Sequence, residues 1–426
     1  MQRSYDIVII GSGILGVSLA YMLSSLTNKS IAVIEQEDRI AYHTSSRNSG
    51  KVHAPFLYNP KKKRLFAKAS FLGFDMWRIY AKIKGIPFKI DGVLEVALDD
   101  YSIDRLDLYR KWGEEDGLNS DDVILLDGSE VKKLESEVRC LKALYCKRDA
   151  STNYGMLTNE LARDAESNGV TFILNNKVLD INDKIRTKSY EINYKFLINA
   201  AGGESIDIAH KMHLAKEFTD IHFRGEYWKA PNIYNNLTKV SIYSVPKYPE
   251  YPFLDPHWLV KVDGSCEVGP NAVLVFSQYA YNNLDNLKMV IPKTLEMINS
   301  GARKVLLDKQ FLMLVKDELL SSLSKTVMIN RVKRFLPTIN PKAFKVKGIA
   351  GIRSSVIDRY GRFASDPIII MDNRSMHILN YNSPGATGAL PFAIYLINKL
   401  DKEGIIKVEC NKQRYWDLRL IMEELE

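Results

Sequence analysis

The chain has 426 residues, 46% of them hydrophobic and 26% charged, which is ordinary for a globular protein and long enough for two domains. It contains no run of about 18 uncharged apolar residues, and its first predicted strand begins near the N-terminus, so neither a membrane-spanning helix nor a signal peptide is expected. A net charge of +8 without a nucleic-acid-binding motif favours an anionic substrate or an anionic membrane surface over nucleic acid. We therefore expect a cytoplasmic protein.

Four cysteines bear on metal and redox chemistry, and they are Cys140, Cys146, Cys266 and Cys410. Their spacing matches neither a zinc site nor a CxxC redox pair. Cysteines in an intracellular chain are mostly reduced. We therefore expect free thiols and no metal ion.

The opening 35 residues have the order of a dinucleotide-binding unit. An apolar strand at Asp6–Ile10 is followed by a glycine turn, a helical pattern, a second strand at Ile31–Ile34 and the acid Glu35. The turn reads Gly11-Ser12-Gly13-Ile14-Leu15-Gly16. The sequence therefore predicts an adenine dinucleotide cofactor.

The residues of this turn each have a physical role in such a unit. Gly11 permits the tight turn, Gly13 lets the backbone approach a pyrophosphate, and Gly16 lets the helix pack closely on the strand. The N–H groups at the helix start favour phosphates, and Glu35 is placed to accept hydrogen bonds from the adenosine ribose. We expect the same site to include Ile14, Leu15 and Gln36.

A polar loop follows the ribose-binding acid and continues along the cofactor. Its hydroxyls and backbone donors suit a pyrophosphate, a ribityl chain and the polar edge of a flavin, and they come from Thr44, Ser45, Ser46, Arg47, Asn48, Ser49 and Gly50. An NAD-dependent dehydrogenase would explain the glycine turn but would leave this loop and the turn at Ser383–Gly388 without a role. The loop leads to His53, which should lie near whatever the loop binds.

Several stretches resemble the L-2-hydroxyglutarate dehydrogenases and oxidases, which belong to the D-amino-acid oxidase-like superfamily of FAD enzymes. The resemblance rests on Ser46–Gly50 with Val52-His53-Ala54, and on motifs in the family's order at Phe223–Tyr227, Tyr243–Pro246, Tyr251–Leu254 and Val268–Ala272. It extends from Asp6 to about Leu400. It implies FAD as cofactor and oxidation of an L-2-hydroxy acid, with L-2-hydroxyglutarate to 2-oxoglutarate as the first choice.

The resemblance and the order of the predicted elements imply an α/β fold with an α+β substrate domain. Residues 1–85, 150–215 and 345–400 are expected to form a discontinuous, Rossmann-like FAD-binding domain. Residues 86–149 and 216–344 are expected to form a substrate domain with a mostly antiparallel sheet, and residues 401–426 a helical tail. The last glycine-rich turn predicts a helix that begins at Leu390.

The resemblance also implies cofactor contacts further along the chain. Small residues at a strand end avoid a clash with the dinucleotide, and a helix start can offer N–H groups to the pyrimidine edge of a flavin. The expected contacts are Val178, Ala200, Ala201, Gly202, Gly351, Arg353, Pro384, Gly385, Ala386 and Thr387.

Oxidation of a 2-hydroxy acid requires a base for the hydroxyl proton and cations for the carboxylates. Arg353 is the first choice for a bidentate carboxylate clamp. Arg224 is the second choice, although it could simply pair with a neighbouring acid. We prefer His53 as the base and treat His257 as a substrate contact or alternative base. Tyr243 is a further expected substrate contact.

The sequence leaves several alternatives open. Pro55-Phe56-Leu57 departs from typical family members, so malate, glycerol 3-phosphate or an amino acid remains an alternative substrate, and a flavin-binding protein without turnover remains an alternative function. The electron acceptor could be a quinone, an electron carrier protein or oxygen. The basic run Lys61–Arg64 begins an amphipathic helix that we assign to the core, with peripheral contact at the inner face of a membrane as the alternative.

Overall fold

The computed structural model describes residues 2–253, 255–409 and 415–425. Cys410, Leu254 and part of the expected tail lie outside these ranges. The strands of the described residues are, in chain order, β1 (Gln2–Ile10), β2 (Ile31–Ile34), β3 (Lys51–Val52), β4 (Phe88–Ile90), β5 (Val93–Ala97), β6 (Val123–Asp127), β7 (Lys142–Cys146), β8 (Ala150–Thr152), β9 (Thr171–Ile173), β10 (Val178–Ile181), β11 (Lys184–Thr187), β12 (Glu191–Asn199), β13 (Phe218–Gly225), β14 (Trp228–Lys229), β15 (Ser241–Ser244), β16 (His257–Val260), β17 (Cys266–Gly269), β18 (Val273–Val275), β19 (Val346–Lys347), β20 (Gly351–Asp358), β21 (Ile368–Met371) and β22 (Ser375–Leu379).

The helices of the described residues cover the faces of these sheets. They are α1 (Ile14–Leu26), α2 (Arg64–Lys84), α3 (Asp100–Glu115), α4 (Gly128–Leu134), α5 (Tyr154–Ser167), α6 (Ser205–Lys211), α7 (Val290–Asn299), α8 (Ala302–Leu306), α9 (Lys309–Leu323), α10 (Lys325–Lys333), α11 (Gly385–Lys402) and α12 (Leu418–Leu425). Among the described residues, no helix combines the length and apolarity needed to cross a membrane.

The first sheet brings together distant stretches of the chain. Its strand order is β10-β11-β12-β1-β2-β9, with β22 beside β12 and β21 beside β22. β1 lies between β2 and β12 and runs parallel to both, as the predicted dinucleotide unit requires. Ile7–Ile10 and Ile31–Ile34 are buried, because one face of these strands packs on the helices around α1 and the other on residues of β10, β11 and α6.

Helices α1, α2, α5 and α11 pack together on one side of this sheet and share its core. Phe66, Phe74 and Trp77 are buried, whereas Lys61 and Lys62 at the start of the segment are exposed. This arrangement confirms the core assignment of the helix after the basic run. A stripe of apolar residues on one helical face is the ordinary way such a helix docks onto a sheet.

The second sheet has the order β19-β14-β17-β16-β15-β5-β7-β6. Its neighbouring strands are antiparallel except for β15 and β5, which confirms the mostly antiparallel sheet predicted for the substrate domain. Leu94, Trp258 and Phe335 belong to one buried cluster, in which α10 covers one face of this sheet.

Two small sheets connect the larger ones. β13 pairs with β18 and β20 in antiparallel register, and this pairing places Phe223 opposite Arg353. β8 pairs with β3 and β4, so that Lys51 lies opposite Ser151 although 100 residues separate them in sequence. The two small sheets thereby place Lys51, Phe223 and Arg353 around the cavity at the edge of the first sheet.

The helix after the glycine-rich turn, α11, begins at Gly385, so the prediction that it begins at Leu390 is wrong. Pro391 lies inside the helix and cannot donate a backbone hydrogen bond to the preceding turn. The indole Nε1 of Trp77 supplies a donor instead, at 3.0 Å from the carbonyl oxygens of Ala386 and Thr387. Proline is usual at a helix start, but Pro391 lies in the second turn of α11, where the side chain of Trp77 from α2 compensates for the missing backbone donor.

The C-terminal segment packs on the first sheet's helical layer. Helix α12 buries Leu418, Ile421 and Leu425 in the same core cluster as α2 and α11. Trp416 contacts the rings of Tyr21 and Tyr80 with centroid distances of 6.3 Å. The described part of the tail contains the helix α12, whereas residues 403–409 and 415–417 are not helical, and the apolar face of α12 is covered by the protein itself.

Candidate active site

A cavity of about 350 Å³ extends from the carboxyl ends of β1, β2 and β12 to the small sheet formed by β18, β13 and β20. Open parallel sheets commonly bind ligands at this edge. The residues predicted from the sequence that line the cavity are Gly11, Gly13, Ile14, Leu15, Glu35, Gln36, Thr44, Ser45, Arg47, Asn48, Ser49, His53, Val178, Ala200, Ala201, Gly202, Tyr243, His257, Gly351, Arg353, Pro384, Gly385, Ala386 and Thr387.

Four predicted residues, Gly16, Ser46, Gly50 and Arg224, lie outside the cavity lining. A Cβ on Gly16 would lie 1.9 Å from the carbonyl oxygen of Gly11, so this glycine serves the close packing of α1 on the turn. Ser46 donates a hydrogen bond from Oγ to the carbonyl of Ala41 at 2.5 Å, which holds the polar loop in shape. These contacts belong to the scaffold of the site.

Arg224 is buried in an ion pair with Glu226, with 3.0 Å between Nη2 and Oε1. Its guanidinium also donates to the carbonyl of Ala280 at 3.2 Å and to the side chain of Asn283. This placement does not support the expectation that Arg224 contacts the substrate, because both of its terminal nitrogens are bonded within the protein and it lies outside the cavity lining. The structural pairing that the sequence left open is the observed one.

The glycine turn brings backbone atoms to the cavity wall. Gly11 has φ +102°, and a Cβ there would lie 2.6 Å from the carbonyl oxygen of Ala200. At Gly13, a Cβ would lie 3.2 Å from Ser45 Oγ. Ser45 Oγ accepts the first helical N–H, that of Ile14, at 2.8 Å, so the polar loop docks directly on the start of α1.

Glu35 supports the same turn from the end of β2. Its Oε2 accepts hydrogen bonds from the backbone N–H of Ser12 at 2.8 Å and from Ser12 Oγ at 2.7 Å, and its Oε1 accepts from the N–H of Glu37 at 3.0 Å. The carboxylate lies in the cavity wall and is largely buried. An acid held this way fits a ribose hydroxyl, and the turn above it fits a pyrophosphate.

His53 lies where the polar loop enters the cavity. Its backbone N–H donates to Thr387 Oγ1 at 3.1 Å, and Thr387 Oγ1 lies 2.9 Å from the hydroxyl of Tyr154. The imidazole Nδ1 lies 3.7 Å from Oδ2 of the buried Asp149. The hydrogen bond between His53 and Thr387 therefore joins the segment after the polar loop to the start of α11, and His53 is the residue preferred as base.

Arg353 enters the cavity from β20 and is the cation best placed to hold an anionic ligand. Its guanidinium donates to the carbonyl of Pro252 and lies 6.0 Å from the ring centroid of Phe253. Within residues 2–253, 255–409 and 415–425, no carboxylate forms an ion pair with it. Burial lowers the pKa of Arg353 below its ordinary value, as expected for a desolvated cation.

His257 and Tyr243 form one face of the cavity, with ring centroids 4.0 Å apart. His257 Nδ1 lies 2.9 Å from the carbonyl of Asp255, so Nδ1 carries the hydrogen. Burial lowers the pKa of His257 to about 3, which makes its imidazole a weak base at neutral pH. The hydroxyl of Tyr243 is buried and has no hydrogen-bond partner among the described residues.

Several residues of the site were not predicted from the sequence. Lys51 lines the cavity wall behind His53. His43 also lines the cavity, with its Nδ1 2.6 Å from the hydroxyl of Tyr281 and its Nε2 3.0 Å from Oε1 of Glu37. The position of Lys51 between the polar loop and His53 was a signal that could have found it. Asp149 offers no such signal, since it meets His53 only through the pairing of β3 with β8.

Similarity to known proteins agrees with this site. A family model described as FAD dependent oxidoreductase, abbreviated DAO, matches residues 6–398. The mitochondrial L-2-hydroxyglutarate dehydrogenase of Caenorhabditis briggsae is 28% identical over 407 residues, which cover 91% of each chain. L-2-hydroxyglutarate dehydrogenase of Escherichia coli (strain K12) is 29% identical over 404 residues, which cover 93% of each chain.

A solved structure supports the same fold. Dithionite-reduced L-alpha-glycerophosphate oxidase from Mycoplasma pneumoniae with FAD bound has a TM-score of 0.72 at 22% identity, covering 97% of this chain and 99% of that chain. The likeness concerns the fold, while the family match covers nearly the whole sequence and includes the glycine turn, the polar loop and α11. The chain therefore belongs to the DAO family of FAD dependent oxidoreductases, and its cofactor is FAD.

Proposed function

We propose that this protein oxidises an L-2-hydroxy acid to the corresponding 2-oxo acid, and that the substrate is L-2-hydroxyglutarate. The observation that carries the proposal is the guanidinium of Arg353, which faces the cavity without a carboxylate partner among the described residues. A planar guanidinium binds a carboxylate through two parallel hydrogen bonds. Relatives of nearly the same length that are named L-2-hydroxyglutarate dehydrogenase favour this substrate over malate or an amino acid.

Glycerol 3-phosphate is the second candidate substrate. It is a dianion like 2-hydroxyglutarate, and a solved structure of the same fold is a glycerophosphate oxidase.

The residues around the proposed substrate divide the chemistry between them. When bound, FAD supplies the hydride acceptor. Arg353 holds the carboxylate beside the α-carbon, and Tyr243 offers its buried hydroxyl to a substrate oxygen. His53 accepts the hydroxyl proton, since the alternative base His257 has its pKa lowered to about 3 by burial. The polar loop and α11, with Pro384 at its start, hold the cofactor.

Anaerobic substrate titrations of the purified, FAD-loaded protein test this function. We expect L-2-hydroxyglutarate to bleach the flavin absorbance, and D-2-hydroxyglutarate, L-malate, glycerol 3-phosphate and L-amino acids to bleach it far more slowly. Bleaching by glycerol 3-phosphate alone would select the second candidate. Tight flavin that none of these compounds reduces would overturn the proposal in favour of a flavin-binding protein without turnover.

We also propose that the reduced enzyme passes its electrons to a membrane quinone while bound peripherally to the inner face of the membrane. Helices α7 and α9 expose apolar side chains to solvent. Ile291, Leu295 and Ile298 recur at helical spacing on α7 and are 72%, 55% and 51% exposed. On α9 the exposed apolar residues include Leu312, Leu319 and Leu323, and exposed lysines nearby are Lys288, Lys304, Lys309 and Lys316. Basic residues beside an exposed apolar stripe favour an anionic lipid surface.

Vesicle cosedimentation tests the membrane contact. We expect the protein to bind vesicles that contain phosphatidylglycerol, and binding to fall at least about tenfold when Ile291, Leu295 and Ile298 are replaced by serine, because each buried apolar side chain contributes roughly 1.5–3 kcal/mol. The matched control replaces three exposed apolar residues elsewhere, Met156, Leu179 and Ile233, by serine. Equal binding by both triple variants would contradict this contact.

A further inference from the structure

A buried group of charges lies directly behind His53. Lys51 Nζ lies 2.8 Å from Asp91 Oδ1 and 3.0 Å from Asp149 Oδ1, and these side chains are at most 1% exposed. Ser151 completes the group, with its Oγ 3.1 Å from Lys51 Nζ and 2.6 Å from Asp91 Oδ2. Buried charges of this kind require partners, and here each has at least one.

Asp149 is the member of this group that contacts the imidazole. Its Oδ2 accepts the backbone N–H of Ala54 at 3.3 Å and lies 3.7 Å from His53 Nδ1. Asp91 is directed instead at Lys51 and Ser151. The two carboxylates thus share one lysine, but they differ in their relation to His53.

The formal charges explain why such a group suits a base. Lys51 contributes +1 and the two aspartates −2, which leaves a net −1 buried beside His53. A proton taken up by the imidazole brings the group to neutrality, and an opposite charge within about 4–6 Å favours the charged form of a titrating group. Burial raises the pKa of Asp149, but Lys51 and His53 outweigh this effect and hold that pKa below its ordinary value.

We propose that Asp149 is a positioning residue that holds His53 with its ring hydrogen on Nδ1 and stabilises the imidazolium formed during substrate oxidation. Lys51 keeps Asp149 ionised in its buried position. The proposal rests on the proposed function for the identity of the proton donor. In the reaction the substrate O–H bond breaks, its proton goes to Nε2 of His53, the α-carbon hydride with its electron pair goes to FAD, and the carbonyl bond forms.

The remaining groups near His53 do not compete for this role. Those that face it are Lys51, Asp149, Tyr243, His257 and, through Thr387, Tyr154. His257 is neutral above a pH of about 3, and burial raises the pKa values of Tyr154 and Tyr243 above their ordinary value. Asp149 is therefore the negatively charged group in this set that can stabilise a protonated His53.

The pH dependence of flavin reduction separates positioning from mere packing. The experiment measures anaerobic reduction of the FAD-loaded enzyme by L-2-hydroxyglutarate for the wild type, Asp149→Asn and Asp91→Asn. Each variant removes one negative charge next to Lys51, but only Asp149→Asn removes the partner of the imidazole. FAD absorbance and thermal unfolding establish that each variant is loaded and folded.

The proposal expects a specific change in Asp149→Asn. Without the carboxylate the neutral base persists to lower pH, so the acid limb of the kcat/KM profile moves to lower pH by about one unit or more. The maximal rate of flavin reduction falls at least about tenfold, since the amide can favour the wrong tautomer. In Asp91→Asn the acid limb moves less. Equal shifts in both variants, or no shift in either, would overturn the proposal.

A second measurement needs neither a substrate nor a variant of Asp149. In the wild-type holoenzyme, ¹⁵N NMR of the histidine side chains reports the tautomer of neutral His53, with its signal assigned by His53→Gln. A hydrogen on Nδ1 supports the proposal, and a hydrogen on Nε2 overturns it. If L-2-hydroxyglutarate fails to reduce the flavin, the proposed function fails while this measurement still decides the role of Asp149.

Discussion

At the scale of single residues, the two arginines predicted for substrate binding occupy opposite environments. Arg353 lines the cavity without a carboxylate partner in the described part of the chain, whereas Arg224 is 2% exposed and paired with Glu226. Both are largely desolvated, but of the two only Arg353 lines the cavity. Their substitutions should therefore affect different measurements.

Replacing Arg353 by methionine should lower kcat/KM roughly 10- to 100-fold, since charge-assisted hydrogen bonds contribute about 1.5–3 kcal/mol. Arg353→Lys should recover only part of this loss, because an ammonium lacks the planar fork. The matched control, Arg224→Met, should instead lower the free energy of unfolding by about 3 kcal/mol, because the buried carboxylate of Glu226 loses its cation at 3.0 Å and keeps Asn271 at 3.1 Å and Lys347 at 3.9 Å. Steady-state kinetics and thermal unfolding distinguish them, and a large KM effect in Arg224→Met alone would contradict the assignment.

The sequence allowed the part of the cavity lining at the glycine turn and the polar loop to be predicted, because these stretches are contiguous and each residue type has a local reason. His53 and Arg353 were also accessible, as they follow or lie within recognisable motifs. Asp149 was less accessible. The contact of Asp149 with Lys51 and His53 depends on strand pairing across a long insertion, and pairing of that range leaves no periodic signal.

At the scale of elements, the turn between β1 and α1 is the most constrained piece of the fold. A Cβ on Gly16 would meet a backbone oxygen at 1.9 Å, while a Cβ on Gly13 would meet the side-chain oxygen of Ser45 at 3.2 Å. The carbonyl oxygen of Gly11 belongs to the backbone of the turn and cannot move away cheaply, whereas a serine side chain can change its rotamer. The two glycines therefore have different costs of substitution.

Gly16→Ala should lower the free energy of unfolding by about 3 kcal/mol or more, because overpacking against backbone distorts the strand. Gly13→Ala should leave the apoprotein's unfolding temperature nearly unchanged and weaken FAD binding about tenfold, since its new methyl group lies on the cavity wall beside the phosphate-binding turn. Thermal unfolding of the apoproteins and fluorescence titration with FAD provide the two readouts. A destabilised Gly13→Ala apoprotein would contradict this division.

The elements themselves were largely predictable, with one instructive exception. The strands of the dinucleotide unit follow from apolar runs, and α2 follows from its amphipathic spacing. The start of α11 does not, because Pro391 inside a helix violates the local rule. Trp77, more than 300 residues earlier, supplies the compensating hydrogen bonds, and no local pattern can reveal a donor so distant.

At the scale of the whole molecule, a single buried acid should make stability depend on pH. Glu95 on β5 is fully buried, and neither of its carboxyl oxygens has a hydrogen-bond partner among the described residues. Burial, followed by repulsion from Asp255, raises the pKa of Glu95 from 4.5 to about 8. Between pH 4.5 and about 8, Glu95 is ionised in the unfolded chain but still protonated in the folded protein. The contribution of Glu95 to stability therefore declines as pH rises through this range.

Glu95→Gln should therefore stabilise the protein at pH 8 by on the order of 3–5 kcal/mol and have little effect at pH 4.5, since one pKa unit corresponds to about 1.4 kcal/mol. Chemical unfolding at the two pH values measures the difference. Glu226→Gln is the control of opposite sign, because it removes the ion-pair partner of Arg224 and should destabilise. A gain in Glu95→Gln that is equal at both pH values would contradict the assigned protonation state.

The strand order of the first sheet has a consequence for the timing of synthesis. β1 leaves the ribosome first, yet one of its parallel neighbours, β12, comes nearly 200 residues later, and β22 and α11 come close to the end. Contacts of such sequence separation form slowly and late. The nascent chain therefore carries a recognisable nucleotide motif long before it has a cavity to use it. Capture of the flavin should be among the final events of biogenesis, and cellular flavin supply should govern the completion of the protein rather than its initial collapse.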